Sequence, residues 1–224
     1  MVSEEHKLRD GRGAGSALDS ALTRPAQRQS YLFFKRAFDI VSSAAALLIL
    51  LPFLPVIALL IRLDSKGPVF FTQPRLGKDG KLFTIYKFRT MAHNAPEIRN
   101  PDGSKFVGAD DPRLTRVGRF LRDYSIDELP QLVNILKGDM SVVGPRPDTP
   151  GAPGLDGEIF QIKRSMRPGL ASLASIHGRN AIPWRERVRW EVRYVERASF
   201  ALDLLILLKT VGLVIKREGI YSSQ

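Results

Sequence analysis

Residues 40–61 read IVSSAAALLILLPFLPVIALLI. Asp39 and Arg62 bracket this run of 22 residues, and no charge interrupts it. Its non-apolar members are Ser42, Ser43, Pro52 and Pro55. At about 1.5 Å per residue, a straight helix of that length just crosses a hydrocarbon core of roughly 30 Å. Two details argue against a straight crossing. Pro52 and Pro55 fall mid-run, where each removes a backbone donor and bends a helix. Basic residues also flank both ends, Lys35 and Arg36 before, Arg62, Lys66, Arg75 and Lys78 after. A spanning helix expects its two ends to differ in charge. Similar flanks suit a helix–break–helix hairpin that enters and leaves one leaflet from the same side. On these residues alone three readings stay open: a spanning helix, a re-entrant hairpin and a buried core helix.

Upstream, residues 1–30 are polar, small and rich in Gly, Ser, Ala and Arg, with no apolar periodicity. They are expected to form a disordered tail. A secretory signal is disfavoured because its apolar region would begin earlier. The hairpin unit is expected over residues 31–66, and a separate small domain over 67–224. In that domain Val69-Phe70-Phe71 and Phe83-Thr84-Ile85-Tyr86 read as short strands around a Gly-containing turn at 77–80. Residues 92–111 and 145–157 read as loops. Residues 114–121, 129–136 and 184–196 read as helices. Residues 202–215 are apolar but interrupted by Asp203 and Lys209, so they predict an amphipathic helix, packed in the core or lying in a membrane interface. The expected class is mixed α/β, mostly helical.

Composition narrows the chemistry. The 224 residues carry Lys+Arg 34 against Asp+Glu 23, a formal charge of +11, which calls for an anionic partner. Nucleic acid, an acidic membrane surface and a phosphorylated substrate all meet that demand. There is no cysteine, so disulfides, thiolate metal sites and thiol nucleophiles are excluded. No P-loop, Gly-x-Gly-x-x-Gly or His-Glu-x-x-His motif is present.

The sharpest chemical candidate is Asp127-Glu128. Adjacent carboxylates repel, so both ionise readily only beside cations or donors, and Arg113, Arg116, Arg119 and Arg122 lie close in sequence. One carboxylate could attack an electrophile while the other holds Mg²⁺. Locally the same residues also read as a capping box from Ser125 to Glu128, or as a helix start capped by Asp127. In Gly144-Pro145-Arg146-Pro147 a stiff turn presents a guanidinium suited to phosphate, or merely a solvated arginine. In Tyr86-Lys87-Phe88-Arg89, alternation puts Lys87 and Arg89 on one strand face. His177-Gly178-Arg179-Asn180 forms a polar loop after Arg167-Pro168-Gly169.

Taken in order, these pieces resemble the bacterial sugar transferase family, the monotopic phosphoglycosyl transferases. The resemblance runs from about Lys35 to Gly219. It rests on Lys35-Arg36-Ala37-Phe38-Asp39, Gly67-Pro68-Val69-Phe70-Phe71-Thr72-Gln73, Lys87-Phe88-Arg89-Thr90-Met91, Asp127-Glu128-Leu129-Pro130-Gln131, the run from Lys137 to Pro147, Arg167-Pro168-Gly169, Gly178-Arg179-Asn180 and Lys216-Arg217-Glu218-Gly219. It implies a re-entrant hairpin broken at Pro52 and a catalytic domain with amphipathic helices on the cytoplasmic face of the bacterial plasma membrane. It implies transfer of a phosphosugar from a UDP-sugar to undecaprenyl phosphate with release of UMP, at the start of polysaccharide or glycoconjugate assembly. By that match Asp127 attacks the β-phosphate, Glu128 binds Mg²⁺, Arg146 and Arg179 lie near phosphate, and Lys87 and Arg89 assist. The implied partners are the UDP-sugar, undecaprenyl phosphate and the phospholipid membrane, without nucleic acid; a homo-oligomer is compatible with the sequence. The chain departs from the family at Leu51, where a serine usually precedes the hairpin proline, and at residues 170–176, which lack the family's tryptophan. The competing expectation is a non-enzymatic, membrane-anchored basic adaptor that binds acidic lipid or nucleic acid.

Overall fold

The computed structural model describes residues 25–98, 106, 108, 110–151, 157–178 and 181–220. Helix α1, Pro25–Leu50, is the first element among the described residues, so helix is present inside the stretch expected as tail. Helix α2, Leu54–Asp64, follows after a three-residue break, and the pair is bent by 64°. Among the described residues no single helix is long and apolar enough to cross a membrane. The two prolines have different roles. Pro52 has no N–H to continue the α1 ladder, and the next amide, Phe53 N–H, reaches only to the Leu50 carbonyl at 2.9 Å. Pro55 lies in the first turn of α2, where backbone N–H groups need no intrahelical partner.

Strands β1, Phe70–Leu76, and β2, Leu82–Phe88, pair antiparallel, with Phe70 opposite Phe88 and Leu76 opposite Leu82. The β2 faces alternate. Ile85 packs with Leu132, Ile135 and Met140 on one side, and Phe88 with Ile61 and Leu121 on the other. Helix α3, Arg116–Asp123, starts at a Thr115 cap whose side chain accepts from Gly118 N–H. A 3-10 turn, Ile126–Glu128, leads into α4, Gln131–Lys137. Strand β3, Ser141–Val143, pairs in parallel with β4, Gly169–Ala171, and α5, Glu158–Arg164, lies between them in sequence. Helices α6, Trp184–Arg197, and α7, Phe200–Lys216, close the chain.

The class is therefore mixed α/β, with about half of the described residues helical rather than most of them. The expected strands and the helices near 116, 131, 184 and 202 are all present. Within α1, Leu32, Ala46, Leu47 and Leu50 pack against the core, but the most deeply buried residues are polar, and Lys35 and Asp39 do structural work. Lys35 pairs with Asp203 at 2.8 Å, and the same carboxylate accepts from Tyr31 at 2.9 Å and Tyr194 at 2.7 Å. Arg36 donates to the Ile135 and Leu136 carbonyls, at 2.6 and 2.9 Å, capping the C-terminus of α4. Asp39 accepts from the Ser141 hydroxyl and the Val142 amide. These bonds lock α1 onto the domain while its other face stays apolar and exposed.

Candidate active site

The dyad is held between two apolar anchors. Ile126, just before it, packs beside Ile61, Phe88 and Leu121; Leu132, just after it, packs with Ile85 and Ile135. The capping-box expectation does not hold. Ser125 adopts a left-handed conformation (φ 54°) and its hydroxyl does not cap the turn; Glu128 N–H instead bonds the Ser125 carbonyl at 3.2 Å. Pro130 is the residue immediately before α4, not its third residue, so the cap at Asp127 is absent as well.

This turn separates the two carboxylates. Asp127 is 9% exposed, and burial pushes its carboxyl up to about 6, with the Glu128 charge adding to the rise. Lys87, Arg122 and Arg146 pull the other way. Glu128 faces the cations directly: Lys87 Nζ donates to its Oε1 at 2.6 Å and Arg146 Nη2 to the same oxygen at 3.4 Å. Lys87 reaches it because it shares the Ile85 face of β2, which packs on α4 and the 3-10 turn.

The Arg146 turn is built by close backbone approach. A Cβ on Gly144 would lie 2.4 Å from the Arg167 carbonyl, and one on Gly169 would lie 2.0 Å from Gly144 N. Gly169 N–H bonds the Pro145 carbonyl at 2.9 Å, so the Arg167-Pro168-Gly169 turn is a strut for Arg146. Other groups surround Arg146, of which the sequence reading notes Arg75 only as a basic flank of the apolar run and Arg187 and Glu191 not at all. Burial and the Arg146 charge pull the Arg75 guanidinium down to about 10. Burial, with Arg146 again, lowers Arg187. Glu191 is 2% exposed, and neither of its oxygens has a hydrogen-bond partner of normal geometry. Burial pushes its carboxyl up to about 7 against the pull of Lys163, the Ser172 hydroxyl and the Arg146 N–H.

The expected site residues divide accordingly. Asp127, Glu128, Lys87 and Arg146 come together. Arg89 does not join them: its guanidinium donates to the carbonyls of Lys66 and Ser65, both at 2.8 Å, and Ile61 at 3.3 Å, closing the end of α2. Of the neighbouring arginines, Arg122 acts on Asp127 and donates to Thr90 Oγ1, whereas Arg113 is paired with Asp111 at 2.7 Å. Arg179 lies outside the described residues. Two signals for the missed residues were present in the sequence. Arg75 alternates with Gln73 on one strand face, and Glu191 falls on the helical stripe of Val188 and Val195.

Among the described residues no set of three or more His, Asp or Glu converges into a metal cage. Mg²⁺ characteristically takes one or two carboxylates and completes its shell with waters and substrate phosphates, so the single Glu128 carboxylate fits it.

A family model described as "Bacterial sugar transferase" matches residues 30–217. The chain belongs to the bacterial sugar transferase family. It is an enzyme of the phosphoglycosyl transferase class, and the adaptor reading has no support. It is 43% identical to the "Exopolysaccharide production protein PSS" of Rhizobium leguminosarum bv. phaseoli, over 80% of this chain and 94% of that one. It is 41% identical to an "Undecaprenyl-phosphate glucose phosphotransferase" of Komagataeibacter xylinus, over 82% of this chain but 35% of the relative. With an "Undecaprenyl-phosphate galactose phosphotransferase" of Salmonella typhimurium the identity is 38%, over 87% of this chain and 43% of the relative. The chain thus spans less than half of the relatives with named sugars and nearly all of the exopolysaccharide protein.

Proposed function

We propose that this transferase moves a sugar phosphate from a UDP-sugar to undecaprenyl phosphate at a membrane surface, through a covalent aspartyl intermediate. The observation that carries this is the Asp127-Glu128 pair, with one carboxylate buried and the other held by Lys87 and Arg146. A carboxyl near 6 is mostly ionised at pH 7 to 8, so Asp127 can act as a nucleophile there. An Asp127 oxygen forms a bond to the β-phosphorus. The bond from that phosphorus to the bridging oxygen breaks, and the oxygen leaves with UMP. An oxygen of the lipid phosphate then attacks the same phosphorus and returns Asp127 as a carboxylate. Lys87, Arg146, Arg75 and Arg122 offset the charge of two anionic substrates. Glu128 would hold Mg²⁺, which supplies charge neutralisation at the phosphates when bound.

Membrane placement is supported by which faces are apolar. Helix α7 turns Asp203 and Ile206 inward and Leu204, Leu208, Val211 and Ile215 outward. Phe33, Val41, Leu48 and Ile49 of α1 and Leu59 and Leu63 of α2 are likewise exposed. Contiguous outward apolar surface of this kind marks a lipid or partner interface. With the 64° bend it suits a hairpin that dips into one leaflet from the cytoplasmic side.

The test is UMP release from a panel of UDP-sugars by the full chain in vesicles carrying undecaprenyl phosphate and Mg²⁺. One donor should give release that is lost in Asp127→Asn, while the variant still floats with the vesicles. A fully active Asp127→Asn refutes the nucleophile; no release from any donor refutes the substrate reading.

A further inference from the structure

Away from the dyad, a shallow open cavity of about 50 Å³ lies at the root of the helical hairpin. Its walls come from α1 (Lys35, Arg36, Asp39), the β1–β2 turn (Lys78), and Arg167 after α5. None of these side chains bonds to Asp127 or Glu128. Four cations therefore line the space with one carboxylate. Two of the cations are committed: Lys35 to Asp203, and Arg36 to the end of α4. Asp39 Oδ1 is occupied by the Ser141 hydroxyl and the Val142 amide, at 3.0 and 2.9 Å. Arg167 uses only Nε, which donates to the Gly138 carbonyl at 2.8 Å. Among the described residues, the Arg167 Nη groups and Lys78 Nζ have no protein partner.

A guanidinium fork and an ammonium with free donors, backed by two further positive charges, match a phosphate anion. The wall of the cavity also says which kind. On α1, Lys35, Arg36 and Asp39 share the inward face, while Phe33 is 71% and Phe34 58% exposed on the other. Chains esterified to a phosphate held here would lie along apolar helix surface. We propose that this cavity holds the headgroup phosphate of an anionic phospholipid and so fixes the depth of the hairpin. The proposal rests on the membrane placement above. It concerns a second anion site, separate from the one that performs the transfer.

The experiment uses the full chain in nanodiscs of mixed phosphatidylcholine and phosphatidylglycerol, with retained lipid counted by native mass spectrometry. Wild type should retain phosphatidylglycerol in preference to phosphatidylcholine. Lys78→Glu should weaken that retention roughly thirtyfold, from the Coulomb worth of a two-unit charge change at an anionic headgroup, about 1 kcal/mol per charge. Lys81→Glu, a charge-matched change on the same exposed turn but outside the cavity, should weaken it far less, by no more than the general surface attraction. Equal retention in the two variants overturns the proposal. A thermal-shift arm with inorganic phosphate in detergent separates the sources. Stabilisation of wild type but not Lys78→Glu, without any effect of Lys78→Glu on lipid retention, reassigns the cavity to free phosphate and overturns the headgroup reading. Failure to enter nanodiscs at all refutes the membrane placement itself and this proposal with it.

Discussion

Replacing Glu191 with Gln isolates the energetic consequence of the buried acid beneath the Arg146 turn. The folded carboxyl titrates near 7, against an ordinary value of 4.5. The folded protein therefore holds this proton more tightly than the unfolded chain does. Unfolding releases it across the window from 4.5 to 7, and stability falls as pH rises through that window. The shift corresponds to about 3 kcal/mol at full ionisation. Solvent screening takes little off this figure, because the group is 2% exposed. Glutamine keeps the shape and cannot titrate. Wild type should thus lose about 2.5 kcal/mol more than Glu191→Gln between pH 5 and pH 8, a relative drop of roughly 5–10 °C in melting temperature for a chain of this size. Asp127 and the other carboxyls titrate in both proteins and cancel in the comparison. The assay is thermal unfolding in detergent at a series of pH values. If the two pH profiles run parallel, Glu191 is not the buried, proton-holding group described here.

Two further outcomes test the architecture. Gly118→Ala should destabilise the chain by about 3 kcal/mol or more, because a Cβ there would sit 1.9 Å from the Thr90 carbonyl, backbone that has no room to yield; a melting temperature unchanged from wild type would contradict the α3 packing. Single cysteines at Ser30 and Ser65, in a chain with no native cysteine, should both label only from the cytoplasmic side in sealed vesicles. Labelling from opposite sides would refute the re-entrant hairpin.

Much of the fold was legible because its signals are local. Charge-free length and two prolines mark a bent helix pair, and alternation at 82–88 marks a strand with two different faces. The Asp127-Glu128 pair was also legible as chemistry, but its local geometry was not. The spacing from Ser125 to Glu128 suits a cap, yet a left-handed Ser125 and the packing of Ile126 and Leu132 on either side impose a 3-10 turn instead. Arg89 shows the same limit. Its strand register with Lys87 is readable, but only the arrival of the α2 carbonyls decides that its guanidinium closes a helix rather than facing the dyad.

The sequence by itself determined the break between the first two helices, the order of strands and helices, the adjacent carboxylates, and an excess of positive charge that calls for an anionic partner. Those properties depend on residue type and on spacings of a few positions, which covalent geometry converts directly into period and face. Tertiary structure alone decided which cations meet which carboxylates. Lys87 and Glu128 are 41 positions apart, Asp39 and Ser141 are 102 apart, and Lys35 and Asp203 are 168 apart. No local periodicity encodes such pairings. They form because burial of the apolar clusters fixes the helices against the strands, and charges carried inward then settle on the partners that this packing brings within reach.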